Sequence, residues 1–450
     1  MSRLHKWCGL AMVALPLVSV AQTPDLQAIL NRLDRLEREN QELKKEVTDL
    51  KARLDGKGPA SASNGETEKG ETTAAVPLEQ QVAVAQSRID EMAQTKVESS
   101  QKLPIRLAGM ALFNTFLDSH QSGGVDYPVV AAAPGTGHGG ATLRQTILGL
   151  EFRDPTAVWG GSVHGNVYMD FFASSGTAAR LRTGEIEIDW KTRSLMAGLE
   201  KPIFNPREPS SLAQVGVSPL TGAGNLWLWV PQVRFEQDFS FAEMSGLRAQ
   251  VGVIQTREVL PYAGSPFTGP LEPARPGLEG RFEFYYKLDD DRRIEIAPGF
   301  HLSETHAGGV SIPSQLVSVD WFVNPWKPVE FSGAFYNGQN VAPLGNGFAE
   351  GFYGYGRNLE AVPSIGGWGQ ITIHTLPRLD FHFFAGQQQN RAADLAAGLI
   401  THNLMYGGNF FYRIAPNVLV GIETTQLRTL YISQGVRINN HYDLALAYLF

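Results

Sequence analysis

The chain has 450 residues, 43% of them hydrophobic and 18% charged, with a formal charge of −7 and one cysteine. The acidic balance argues against a nucleic-acid partner, and one cysteine cannot build a disulfide framework. No segment after the first twenty residues is apolar enough for a transmembrane helix, so a membrane-spanning form must be a closed β-barrel, the other fold that satisfies every backbone group in lipid.

Residues 1–21 read as a secretory signal. Arg3 and Lys6 precede a short apolar core at 10–18, and Ser19-Val20-Ala21 is a small-x-small cleavage pattern before Gln22. Cleavage there removes Cys8 and takes the charge from −7 to −9. The exported chain then relies on burial and hydrogen bonding alone.

Residues 22–55 carry a heptad repeat. Leu26, Leu33, Asn40, Val47 and Leu54 occupy a; Ile29, Leu36, Leu43 and Leu50 occupy d. At g, Arg32, Glu39 and Glu46 face Glu37, Lys44 and Lys51 at the following e of a parallel neighbour, each with opposite sign. The pattern predicts a periplasmic coiled coil of roughly 43 Å at 1.5 Å per residue. Asn40 fixes register and leans towards a dimer, while leucine at both core positions leaves the strand number open. Residues 56–77 are rich in Gly, Ser, Thr, Ala and Glu without periodicity and read as a flexible linker. Leu78, Val82, Ala85, Ile89 and Met92 resume helical spacing, giving a short second helix over 78–100.

From 104 to 450 the period becomes two. Sixteen segments alternate: 105–117, 143–153, 161–173, 181–190, 194–203, 225–238, 247–257, 278–288, 292–303, 315–323, 329–337, 365–375, 378–389, 401–413, 417–428 and 438–450. Each is near the length a tilted strand needs to cross the hydrocarbon. Short turns are expected at 154–156, 191–193, 289–291, 324–326, 376–377 and 415–416, with a longer one at 240–246. The other ends carry longer loops, the largest at 118–142, 204–224, 258–277 and 338–364. Long-short alternation is the outer-membrane pattern, and an even strand number puts both barrel ends on the periplasmic side.

The faces agree. Arg281, Glu283, Tyr285 and Lys287 alternate with Phe282, Phe284, Tyr286 and Leu288. Glu185, Glu187 and Asp189 alternate with Ile186, Ile188 and Trp190, and His164, Asn166, Tyr168 and Asp170 with Val163, Val167, Met169 and Phe171. In the last segment Tyr442, Leu444, Leu446, Tyr448 and Phe450 share one face, as the closing strand of a lipid-facing barrel requires. Trp190, Trp321 and Phe450 fall near predicted turn ends, and Trp227 and Trp368 near loop ends, as two interfacial girdles would.

Sixteen strands enclose water, so function reduces to what narrows and charges the lumen. The 204–224 loop, with Arg207 and Glu208, is the candidate constriction. The barrel region has 20 arginines and 4 lysines. Arg234, Arg248 and Arg281 fall on the luminal parity; Arg144 does so only if its strand contains a bulge. Arginine suits carboxylate or phosphate. Glu187, Asp189, Glu200, Glu236, Glu283 and Asp320 share the lumen, and mixed charge also gives a general porin its transverse field, so both selectivities stay open.

An exported coiled coil, a linker and a sixteen-strand barrel ending in Tyr448-Leu449-Phe450 resemble the trimeric outer-membrane porins. Within them the chain is similar to the DcaP-like porins, through residues 94–99 leading into Lys102-Leu103-Pro104-Ile105-Arg106-Leu107. The phosphate-selective porins share the plan. The resemblance implies a homotrimer in the bacterial outer membrane passing small hydrophilic solutes, dicarboxylates or phosphate among them, without cofactor or metal. Three other readings compete. His301 and Ser303, two apart on one face, would suit a barrel hydrolase if a third member stood beside them. An aromatic track inside the lumen would favour a sugar-specific porin. The rod would also serve as a tether to the cell wall. His374 and His382 flank one turn, where His374 would face Asp380; luminal polarity explains them better than a metal site.

Overall fold

The computed structural model describes residues 105–132, 135–173, 178–258, 269–272, 275–345, 351–355 and 357–450. The signal, coiled coil, linker and second helix lie outside the described residues.

The strands in chain order are β1 (Ile105–Asp118), β2 (His138–Thr142), β3 (Ile147–Val158), β4 (Gly161–Asp170), β5 (Arg180–Asp189), β6 (Arg193–Glu200), β7 (Val230–Ala242) and β8 (Ser245–Gln255). They continue as β9 (Pro276–Lys287), β10 (Arg293–Ala307), β11 (Val310–Trp326), β12 (Val329–Gln339), β13 (Phe352–Tyr355), β14 (Asn358–Ala361) and β15 (Pro363–Leu376). The last are β16 (Leu379–Asn390), β17 (Ile400–Ala415), β18 (Val418–Tyr431) and β19 (Gly435–Leu449). All but β13 and β14 join one antiparallel sheet, and β1 pairs with β19 to close it. Both β2 and β3 pair with β1 and together make one stave, so the barrel has sixteen. β13 and β14 form a hairpin of their own.

The two walls invert the usual burial. Asn114, Asp170, His301, Asp320 and Thr429 are fully or almost fully buried on the inside, while Ile186, Val233, Phe284, Phe383 and Leu446 are about half exposed on the outside. A soluble barrel would do the reverse; this outer wall is shaped for lipid. Trp159 and Trp326 stand exposed at the turn end, and Trp190 Nε1 donates to the Trp159 carbonyl at 3.1 Å. Trp368 is different. It faces inward, 3% exposed, against Leu220, Ala223 and Phe384, and Trp227 lies in the 201–229 connection. Trp227 and Trp368 therefore do not form the expected loop-end girdle, because period two sets a face without saying what covers it.

Each of the sixteen expected segments overlaps one stave. Some turns move. The turn placed at 154–156 falls inside β3, where the register shifts beside Pro155, a residue without an N–H for the ladder. The chain reverses instead at Trp159-Gly160, both at positive φ. At 240–246 the strands run on and only 243–244 turn. Gly308-Gly309, also both at positive φ, close a tight hairpin where a loop over 304–314 was expected.

Two bulges aim arginines. Residues 111–113 of β1 face 143–146 between the β2 and β3 pairings, so the register slips by one residue at Arg144, as its luminal position requires. In the β4–β5 ladder Tyr168 pairs with Thr183 and Met169 with Leu181, which leaves Arg182 as the extra residue.

Candidate functional site

The 201–229 connection folds into the barrel and packs along its inner wall. Its order is local first. The Ser211 hydroxyl accepts from Ala213 N and Gln214 N, while Asn225 Nδ2 donates to Ser218 Oγ and the Pro219 carbonyl. At Gly224, with φ +101°, a Cβ would stand 2.2 Å from the Gly367 carbonyl, so only glycine lets the loop come this close to β15.

The anchors to the wall run in chain order. Ile203 N donates to Glu279 Oε2 at 2.7 Å, and the Phe204 ring meets His301 edge-on. Arg207 reaches Asp320 at 2.6 Å, Glu295 at 2.7 Å and Glu283 at 3.3 Å. Ser210 N donates to Gln370, Ser211 Oγ to Glu423, and Asn114 Nδ2 to the Leu212 carbonyl. Gln145 Oε1 accepts from Val215 N and Gly216 N, and Asn403 Nδ2 donates to the Gly222 carbonyl. The loop thus covers the inner faces of β9–β12, β15–β19 and the upper part of β1. On β3–β8 the luminal side chains of Glu151, His164, Glu185, Glu187, Arg234, Glu236 and Arg248 are only partly buried. That wall is the accessible side of the lumen.

Charge is arranged differently on the two sides of the loop. Under Arg207, Arg281 binds Asp320 at 2.7 Å and Glu283 at 2.5 Å, Arg248 binds Glu283 at 2.8 Å, and Arg293 binds Glu295 at 2.6 Å. These arginines neutralise one another's carboxylates. On the β1–β19–β18 wall, Glu423 accepts from Ser211 and Asn409, Asp443 from Asn114, and Asp118 from Asn439 beside His441 Nδ1 at 2.9 Å. Among the described residues none of these three carboxylates has a lysine or arginine partner.

A third group lies where the loop ends of β4 and β5 meet the inward connection, Arg180 donating to the Gly216 carbonyl and Arg182 to the Val215 carbonyl. Arg180 and Arg182 share Asp170, at 2.6 and 2.9 Å, and lie over the Trp229 ring at 5.1 and 4.7 Å. Arg144, paired with Asp126, lies 4.0 Å over Phe172, which meets Tyr127 at 4.7 Å. Lys201 binds Glu208 at 2.7 Å. Burial alone would raise the Glu208 carboxyl, but Lys201, with Ser218 and Arg182, holds it below the usual glutamate range. Four cations here meet three carboxylates. On the same wall, two staves from Glu185, Arg234 carries an Nε that is buried without a hydrogen-bond partner.

Arg207, Arg248, Arg281 and Glu283 thus meet in one knot, while Asp170 holds Arg180 and Arg182 over Trp229, Glu208 pairs with Lys201, and Arg144 shares the Phe172 ring with Arg180. Glu187 and Arg234 line the open wall. Arg180, Arg182 and Trp229 were missed in the sequence. Arg182 needs the bulge to point inward, and Trp229 belongs to a segment read as strand. The rings at this end do form an inner aromatic cluster, but guanidinium groups cover their faces.

His301 does have a third partner. Its Nε2 meets Ser303 Oγ at 2.7 Å and its Nδ1 meets Glu279 at 2.9 Å. The chain continues from Glu279 to Ile203 N, and the imidazole is fully buried beneath Phe204. That makes it the root of the inward loop. His374 meets Asp380 at 2.6 Å, and His382 meets Asn409 at 2.7 Å. Among the described residues no three His, Cys, Asp or Glu side chains stand together as metal ligands.

No protein-family model matches the chain, and no curated protein matches it. Solved structures do. The outer membrane channel DcaP of Acinetobacter baumannii superposes with a TM-score of 0.64 at 16% identity, over 77% of this chain and 97% of that one. An anion-selective porin from Comamonas acidovorans gives a TM-score of 0.50 at 9% identity, over 77% and 99%. At these identities the likeness establishes the barrel fold.

Proposed function

We propose that the protein is a porin of the bacterial outer membrane, a passive channel for small hydrophilic solutes with preference for small anions, of the DcaP-like kind. The observation that carries this is the loop anchored inside a sixteen-stave barrel, which leaves one charged, accessible wall as the path. The names of the two neighbours support a channel. Anion preference follows from Arg144, Arg180, Arg182 and Lys201 outnumbering their carboxylates and from the unpartnered Arg234 Nε. Guanidinium groups over the aromatic faces favour carboxylates or phosphate over sugars. Three copies assemble, and the heptad segment at 22–55 stands in the periplasm, where contact with the cell wall is a secondary role.

The test is conductance in planar bilayers. An anion-biased reversal potential, reduced in Arg234→Ala, supports the reading. Cation bias removes the selectivity, and silent membranes remove the channel.

A further inference from the structure

The accessible wall contains a notch. Gly198 of β6 lies on the luminal face, with Glu185 of β5 paired on one side and Gln232 of β7 on the other. A Cβ at Gly198 would stand 2.3 Å from the Gly184 carbonyl and 2.8 Å from Glu185 Cβ, so no side chain closes the gap. Glu200, two residues along β6, shares the same face.

The groups around the notch are acceptors. Glu185 Oε1 accepts from Asn166 Nδ2, and Glu200 Oε1 from Lys201 N, both at 2.9 Å. The Lys201 ammonium itself is turned to Glu208. Among the described residues neither Glu185 nor Glu200 forms an ion pair. Gln232 is 5% exposed; its Nε2 donates to the Lys201 carbonyl at 2.7 Å, and its Oε1 has no partner. An acceptor buried so deeply is costly to leave unmet.

One row nearer the turn end the sign reverses. Arg234 follows Gln232 on the same face of β7, about 7 Å along the strand. Met196, fully buried, separates it from Glu187 of β5. Glu187 is engaged on its other side, 3.5 Å from His164 Nε2. Arg234 therefore enters no ion pair among the described residues, and its Nε has no hydrogen-bond partner. Glycine and methionine keep a free guanidinium and a free anionic seat side by side without letting them neutralise each other.

We propose that these two rows bind small α-amino acids as zwitterions. The ammonium enters the Gly198 notch against Glu185, Glu200 and Gln232, and the carboxylate meets Arg234. A dianion would set its second carboxylate against two glutamates, and a diamine would set an ammonium against Arg234. A sugar would leave all three charges uncompensated. An α-amino acid carries both signs on one carbon and answers both rows. The inference rests on the channel reading above but not on its anion preference.

The test uses the full chain in proteoliposomes and tracer serine at low concentration. Uptake should saturate, and excess alanine should suppress it. The same excess of ethanolamine, with the ammonium alone, or of lactate, with the carboxylate alone, should not. In Glu185→Gln combined with Glu200→Gln, and separately in Arg234→Gln, serine uptake relative to erythritol uptake should fall by about tenfold. Uptake that does not saturate, that ethanolamine or lactate suppresses as well as alanine does, or whose ratio to erythritol is unchanged in either variant overturns the site and leaves the channel standing. Vesicles that admit neither serine nor erythritol overturn both. Should the variants fail to fold, the competition on the wild-type protein alone decides.

Discussion

The inward loop rests on two walls that solve one problem differently. Under Arg207, carboxylates sit at 2.5–3.3 Å from guanidinium groups. At the β1–β19–β18 wall, the equally buried Glu423 and Asp443 are held by hydroxyl and amide donors alone. A buried ion pair is costly to split, whereas a carboxylate held by neutral donors exchanges for an amide at little loss. The arginine knot therefore fixes the loop, and the opposite wall only receives it.

The strongest way to break this contrast is Asp320→Ala. It leaves Arg281 buried without its main partner and should cost roughly 3–5 kcal/mol in urea unfolding of the detergent-solubilised barrel. The sharpest comparison is Glu283→Gln against Glu423→Gln, residues equally buried at 3% exposed. The first should cost about 3 kcal/mol and the second less than about 1 kcal/mol in the same assay; equal losses would end the distinction. Next comes Arg207→Ala, which unties the loop from Asp320, Glu283 and Glu295. Single-channel conductance should rise and become noisier, while Ser211→Ala on the other wall leaves it near wild type. The smallest effect concerns Glu208. Its carboxyl is held below the ordinary range, so its share of stability is present above that range and is lost only as pH falls beneath it. The pair is partly exposed, so a pH titration of Lys201→Ala against wild type should differ by no more than about 1 kcal/mol.

The barrel was legible because period two is a local property. Leu278–Leu288 or the last ten residues declare their faces without reference to any other strand. The site was less legible because it depends on register between distant segments. Arg207 and Asp320 are 113 residues apart, and nothing in either neighbourhood names the other. Glu279 sits beside His301 only because β9 and β10 pair at that step. Trp368 reads as an interfacial tryptophan until the loop that covers it is placed. Bulges were the other gap: one extra residue turns Arg182 inward and leaves the parity below it intact.

The seam between β1 and β19 has a consequence for biogenesis. Gly109 N donates to the Phe450 carbonyl at 2.9 Å, and Phe450 N donates back to Gly109 at 3.1 Å. Every other stave meets a neighbour close to it in the chain, but this zipper joins residues more than three hundred positions apart. Its two halves cannot meet until the ribosome has finished β19, so β1 must wait with an open edge, a form that invites wrong partners and needs guarding on its way to the membrane.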